Sequence, residues 1–138
     1  AQLKALLDRC FSMIHCQTLH GKYGACVLAS GGPLYQNVED YLLNIIGTMG
    51  CWKTGSIVVA GGQLDDPDTA PGALQEARVL GSRLAKAIAV RERFPEQEEE
   101  RDQCFEMMRW LVESQKDQWP CEYQYWQTHW RDTKVKNC

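Results

Sequence analysis

Several patterns are missing from this sequence, and each absence removes a class of protein. No apolar run approaches the roughly 20 residues needed to cross a bilayer, and the amino terminus lacks the basic-then-apolar layout of a secretory signal. No two of the seven cysteines stand in C-x-x-C spacing, so neither the usual zinc loop nor a redox dithiol is written into the chain. The phosphate-gripping patterns G-x-G-x-x-G and G-x-x-x-x-G-K-[ST] are absent. Asp65, Asp66 and Asp68 lack the alternating oxygen ligands of a calcium loop, which leaves helix capping as their reading. Basic residues form no patch of the kind that grips nucleic acid. What remains is a chain of 138 residues, 44% hydrophobic, 24% charged and carrying a net charge of -3. That composition reads as one soluble domain at most, expected in the cytoplasm.

What is present begins with a helical pattern. Leu3, Leu6, Leu7, Cys10, Phe11 and Ile14 follow three-and-four spacing, so one helix from residue 1 to about 14 is expected, with these side chains as its buried stripe. The cysteines are read mostly as reduced thiols packed as small hydrophobes. A site built from Cys10, Cys16 and His15 or His20 is the alternative, although the spacing places the two cysteines on different helix faces.

Residues 25–29 form an apolar run without polar alternation, the mark of a strand covered on both faces in a parallel sheet. Ser30, Gly31, Gly32 and Pro33 end it. Asn37 is the expected cap of the next helix, whose stripe is Val38, Tyr41, Leu42, Ile45, Ile46 and Met49, with Gly50 as its stop. Residues 56–60 form a second strand, closed by Gly61 and Gly62. Strand, helix and strand in this span predict a right-handed parallel crossover.

A third helix is expected over residues 71–94, with Leu74, Ala77, Leu80, Leu84 and Ile88 on its inner face. A fourth runs from Glu96 to about Gln118 and buries Cys104, Met108, Leu111 and Val112. More than half of the aromatic residues fall between 105 and 130, so this end is expected to pack as a collar on the domain or on another subunit. Two parallel strands cannot by themselves cover four amphipathic helices, so further strands are expected before residue 1 or from another chain.

The glycine pairs stand where an open parallel sheet binds ligands, beyond the carboxyl ends of its strands. Gly61 and Gly62 are read as a tight turn. Ser30, Gly31 and Gly32 are read as a binding loop, because they offer a hydroxyl, backbone N–H groups and the nearby Tyr35 just before a helix.

Three stretches carry a family resemblance. AQLKALLDR resembles the helix after the flavin-ring loop in the NAD(P)H-dependent FMN reductase and iron–sulfur flavoprotein branch of the flavodoxin-like fold. GKYGACVLASGG, followed by a helix and Met49-Gly50, resembles that family's fourth strand and its glycine loop, and EARVLGSRLAK its last helix. The likeness spans residues 1 to about 90. It implies a three-layer α/β fold, a parallel sheet with helices on both faces, of which residues 1–94 are the C-terminal half and residues 95–138 a helical, aromatic extension.

The same resemblance implies FMN at the carboxyl edge of the sheet, with Ser30, Gly31 and Gly32 beside the ring, and electrons passing from NADH or NADPH to an acceptor. No residue is assigned as catalytic and none as a metal ligand. The family's phosphate loop, its first three strands and the cysteine cluster that holds iron and sulfur in some members are not in this sequence, so an iron–sulfur centre is not expected. Held by these residues alone, FMN is expected to bind poorly or not at all. A homo-oligomer formed through the aromatic end is expected, without membrane or nucleic-acid partners. The alternative is a non-catalytic half-fold that assembles with a partner chain or with its own copy. His15 and His20 are read as surface or capping residues, His129 as part of the aromatic collar, and EQEEER as a solvated helix start.

Overall fold

A computed structural model describes residues 2–32, 35–60, 68 and 70–130. Gly61, Gly62, Asp65 and Asp66 lie outside the described residues, as does Cys138. In chain order the elements are α1 (Gln2–Asp8), α2 (Phe11–His15), β1 (Tyr23–Ser30), α3 (Gln36–Thr48), β2 (Trp52–Ala60), α4 (Ala70–Val90), α5 (Pro95–Ser114) and α6 (Pro120–His129). Among the described residues the strands form one two-stranded parallel sheet, so the class is mixed α/β. No described helix is long and apolar enough to cross a membrane. The chain divides into two compact units, one built from Gly21–Gly47 and Cys51–Phe94, the other from Ala1–His20, Thr48–Gly50 and Pro95–Cys138.

The first unit is a strand–helix–strand–helix assembly. Each strand is longer than its apolar run. β2 begins at Trp52, because its polar opening residues are tied into the ladder by an irregularity rather than excluded from it. Gly24 pairs with Lys53 and Ala25 with Gly55, leaving Thr54 as the extra residue of a bulge. Gly55 takes a φ of +138°, and the fully buried Thr54 donates its hydroxyl to the Gly24 carbonyl at 3.0 Å.

Side-chain alternation then assigns the two faces of the sheet. A Cβ on Gly24 would lie 3.0 Å from Ile46 Cδ1 of α3, whereas one on Gly55 would lie 3.4 Å from Leu80 Cδ1 of α4. Gly24, Cys26, Leu28 and Ser30 therefore share the α3 face, and α4 covers the opposite one. Its core is Trp52, Ala87 and Phe94 with Tyr23 packed against them, the Trp52 and Phe94 rings 5.8 Å apart.

Several expected details differ. α3 starts two residues earlier than a cap at Asn37 allows, since the Tyr35 carbonyl accepts the first helical N–H groups, from Val38 at 2.9 Å and Glu39 at 3.0 Å. Val38 and Tyr41 remain exposed, because two strands offer too little surface to bury the whole stripe. α4 ends at Val90 rather than at residue 94, and it buries Ala73, Leu80 and Ala87, leaving Leu74 and Ile88 exposed on its flank. Small alanines bring the helix close to the sheet, and that sets its rotation.

In the second unit the expected helix 1–14 is two helices. Arg9 N–H and Cys10 N–H bond to carbonyls three residues back, at 3.0 and 2.9 Å, which tightens and ends α1. α1 buries none of its residues, and Leu3, Leu6 and Phe11 are each more than half exposed. α5 packs against α2 and α6. Its inner face is Arg101, Phe105, Met108 and Val112, so Phe105 and Arg101 take the places expected of Cys104 and Leu111. α5 also stops at Ser114, short of Gln118.

The aromatic end is a helix that packs on its own chain. Phe105 touches Trp126 at 4.9 Å, Trp130 at 5.5 Å and His20 at 4.8 Å between ring centroids. Trp126 Nε1 donates to the His15 carbonyl at 2.7 Å and Trp130 Nε1 to the Cys16 carbonyl at 2.9 Å. These carbonyls lie near the end of α2, where intrahelical partners run out. His15 and His20 are consequently packed rings rather than surface caps: His15 stacks on Trp119 at 4.4 Å, and both Nδ1 atoms are buried without a hydrogen bond.

Candidate functional site

β1 delivers Ser30 to the carboxyl end of the sheet, and the chain turns there. The Ser30 hydroxyl donates to the Gly32 carbonyl at 2.8 Å and accepts the Gly32 N–H at 3.4 Å, a local side-chain turn of the kind serine forms readily. Ser30, Gly31 and Gly32 thus form one local turn. The reason for the glycines differs: neither takes a positive φ. What both have is room, since a Cβ on either would find no heavy atom of the described residues within 4 Å. Approach to the backbone from outside is therefore open. Tyr35 follows across the turn, at the start of α3.

Behind this turn, on the same face of the sheet, lies a polar cluster that sequence reasoning missed. Ser56 donates its hydroxyl to the Glu39 carboxylate, and Glu39 also accepts from Gln36 Nε2 at 3.4 Å. Cys26 is the register partner of Ser56. Burial first, and the Glu39 charge second, push the Cys26 thiol above its usual range, so it stays a neutral S–H. No sequence spacing links residues 26, 39 and 56. The parallel register and the first turn of α3 bring them together.

The remaining candidates separate. Cys10 is half-buried, whereas Cys16 is buried and stays protonated, its thiol raised to about 11 by burial and by Glu122. His20 is depressed by burial and by Arg101, partly opposed by Asp102. His129 stacks on Tyr125 at 4.0 Å on the exposed side of α6 and shares its Nδ1 with the Thr128 hydroxyl at 2.8 Å. Among the described residues, no three His, Cys, Asp or Glu side chains are grouped so as to hold a metal ion.

Sequence comparison adds one relation to this geometry. The chain is similar to an iron–sulfur flavoprotein. That protein, from Archaeoglobus fulgidus, is 26% identical over 130 residues, a match covering 91% of this chain and 56% of the relative. This chain thus spans little more than half the length of the relative it matches. No protein-family model matches the sequence. No solved structure matches it either.

Proposed function

We propose that this chain is part of a flavin-dependent oxidoreductase, with FMN beside the turn Ser30-Gly31-Gly32, NADH or NADPH as electron donor, and a separate acceptor. The observation that carries the reading is the similarity of 91% of the chain to a flavoprotein. The geometry supports it, because the open turn stands at the carboxyl end of a parallel strand, where sheets of this kind receive ligands.

The residues present fit the edge of a planar ring. Open space in front of both glycines admits a flat group to the backbone, and the Ser30 hydroxyl holds the turn in shape from behind. When bound, the flavin supplies the redox chemistry. The chain's own part is orientation: the turn sets the ring's edge, while Cys26 and the hydrogen-bonded pair Ser56 and Glu39 lie on the same sheet face behind it. Residues 1–94 are proposed as one half of the flavin domain and 95–138 as its extension. The described cysteines do not fit an iron–sulfur cluster, and no step is assigned to one.

The test is to express the whole reading frame that contains this sequence and record its visible spectrum with and without added FMN. A yellow protein, or one that quenches FMN fluorescence stoichiometrically, is the expected result. Gly31→Val, which fills the open space, should weaken FMN binding tenfold or more. Its effect on stability should stay near the ~0.5 kcal/mol usual at surface positions. A folded preparation that stays colourless and takes up no FMN overturns the reading.

A second reading, a non-catalytic half-fold assembling with a partner or a second copy, is favoured by one observation. Among the described residues β1 and β2 pair only with each other, so each has an outer side along which no other described strand runs. Intact mass of the natural protein separates the two. A mass near 15.7 kDa supports the half-fold, and one larger by about a hundred residues, the usual scale of half a domain or more, supports the flavin domain.

A further inference from the structure

Three helices of this chain end in the same way, and the residue at the turning point differs each time. After α2, Thr18 N–H reaches back to the Met13 carbonyl at 3.1 Å with Gln17 at φ +49°. After α3, Cys51 N–H reaches Ile46 at 3.1 Å with Gly50 at φ +96°. After α4, Glu92 N–H reaches Ala87 at 2.9 Å with Arg91 at φ +52°. This is the left-handed helix stop that normally selects glycine, because a side chain there crowds the backbone.

At residue 50 glycine is used. At residue 17 the strain is offset, since the buried Gln17 amide donates to the Ile14 carbonyl at 2.9 Å and the Thr48 carbonyl at 2.6 Å. At residue 91 nothing offsets it: among the described residues the Arg91 guanidinium makes no hydrogen bond and no ion pair. Strain kept without an internal partner points outward.

Arg91 lines an open cavity of about 520 Å³ together with Gly21, Lys22, Tyr23 and Ile88. Among the described residues the Lys22 ammonium likewise has no partner, and no acidic side chain lines the cavity. The setting is firm. Tyr23 packs on the Trp52, Ala87 and Phe94 core and donates its hydroxyl to the Glu92 carbonyl at 2.9 Å, which pins the turn that carries Arg91. The stop itself removes part of the repulsion an anion would meet at a helix carboxyl end, because Arg91 N–H and Glu92 N–H already occupy the Ile88 and Ala87 carbonyls.

From this we infer that the cavity bounded by Lys22, Tyr23, Ile88 and Arg91 is a binding site for a small molecule with an apolar or aromatic body and one oxyanion. The guanidinium fork and the ammonium grip the oxyanion, and Tyr23 and Ile88 receive the body. Phosphate and carboxylate share this chemistry. The site opens at the amino-terminal edge of the sheet. β1 separates it from the Ser30 turn by on the order of 20 Å, so it does not depend on the flavin reading.

The test uses phenyl phosphate, benzoate and, as the neutral control, phenol, titrated into the protein while backbone amide shifts are followed by NMR. Saturable shifts at Gly21, Lys22, Tyr23 and Arg91 with either anion, and not with phenol, are expected, and the anion that binds identifies the oxyanion. Arg91→Gly should raise the melting temperature while weakening anion binding at least tenfold, the scale of one hydrogen bond to a charged group. Lys22→Ala should weaken binding without raising stability. The assignment fails if neither anion shifts these amides, if phenol binds as tightly, or if Arg91→Gly leaves binding unchanged or lowers the melting temperature.

Discussion

Gly50 stands directly against the backbone of His20: a Cβ at residue 50 would lie 2.8 Å from His20 Cα and 3.0 Å from its nitrogen. Leu19 N–H bonds to the Met49 carbonyl at 3.3 Å in the same place, so the loop after α2 and the end of α3 are joined backbone to backbone. Arg101 Nη2 completes the junction by donating to the Gly50 carbonyl at 2.9 Å.

Gly50→Ala therefore meets two penalties at once, a positive φ of +96° and a clash with main chain that cannot rotate away. A loss of about 2–4 kcal/mol is expected by urea denaturation. Gly31→Ala, in open space and at ordinary φ, is the control and should change stability by less than ~0.5 kcal/mol. Equal effects at the two positions would contradict this account of Gly50.

Trp126 is 5% exposed and donates its indole N–H to the His15 carbonyl at 2.7 Å. Trp126→Phe keeps the ring contact with Phe105 but strips a partner from that carbonyl, at a cost of ~1–3 kcal/mol. Trp110, 69% exposed, should tolerate the same change almost without effect. Thermal melts of the two variants make the comparison.

Stability should fall on both sides of neutral pH. His20 is depressed in the folded state, so the unfolded chain binds its proton first. The contribution is intact above about 6.5 and is lost as pH falls through that value towards the lowered folded one. Cys16 works in the opposite direction, because its thiol moves from 9.0 to about 11 on folding. The unfolded chain then ionises first as pH rises from 9 to 11, costing on the order of 2 kcal/mol. Melting temperature against pH should lose its acid slope in His20→Phe and its alkaline slope in Cys16→Ala.

Thr54 is wholly buried at the bulge, and its hydroxyl serves the Gly24 carbonyl. Thr54→Val preserves shape and removes the donor, so a loss of roughly 1–2 kcal/mol is expected. Amide exchange should quicken first at residues 24 and 25, beside the register shift. Uniform acceleration along β1 would show that the bulge is not held there.

Much of the unit around the sheet was legible beforehand because it is written in local patterns. The uninterrupted apolar runs of residues 25–29 and 57–60 mark strands, and Gly50 announces a helix end. The open turn at Ser30 follows from the same signals. The rotation of α4 was not legible: Leu74 and Ile88 look more buriable than Ala73 and Ala87, yet the alanines face the sheet. Close approach of backbone to backbone outweighs the size of an individual side chain. The polar group of Cys26, Ser56 and Glu39 depends on strand register, which no local pattern carries.

By itself the sequence determined the two strands, the helix between them and the long helices that follow, since helix and strand periods and the turn residues act over a few neighbours; the break between α1 and α2 was not among them. Only the tertiary structure decided that residues 2–20 share a unit with residues 95–130, and that Trp126 and Trp130 donate to the end of α2. It alone decided that Arg91 occupies a glycine position with its charge turned towards a cavity. The physical reason is common to all three: a buried hydrogen-bond partner or an unpaired cation is a property of what surrounds a residue in space.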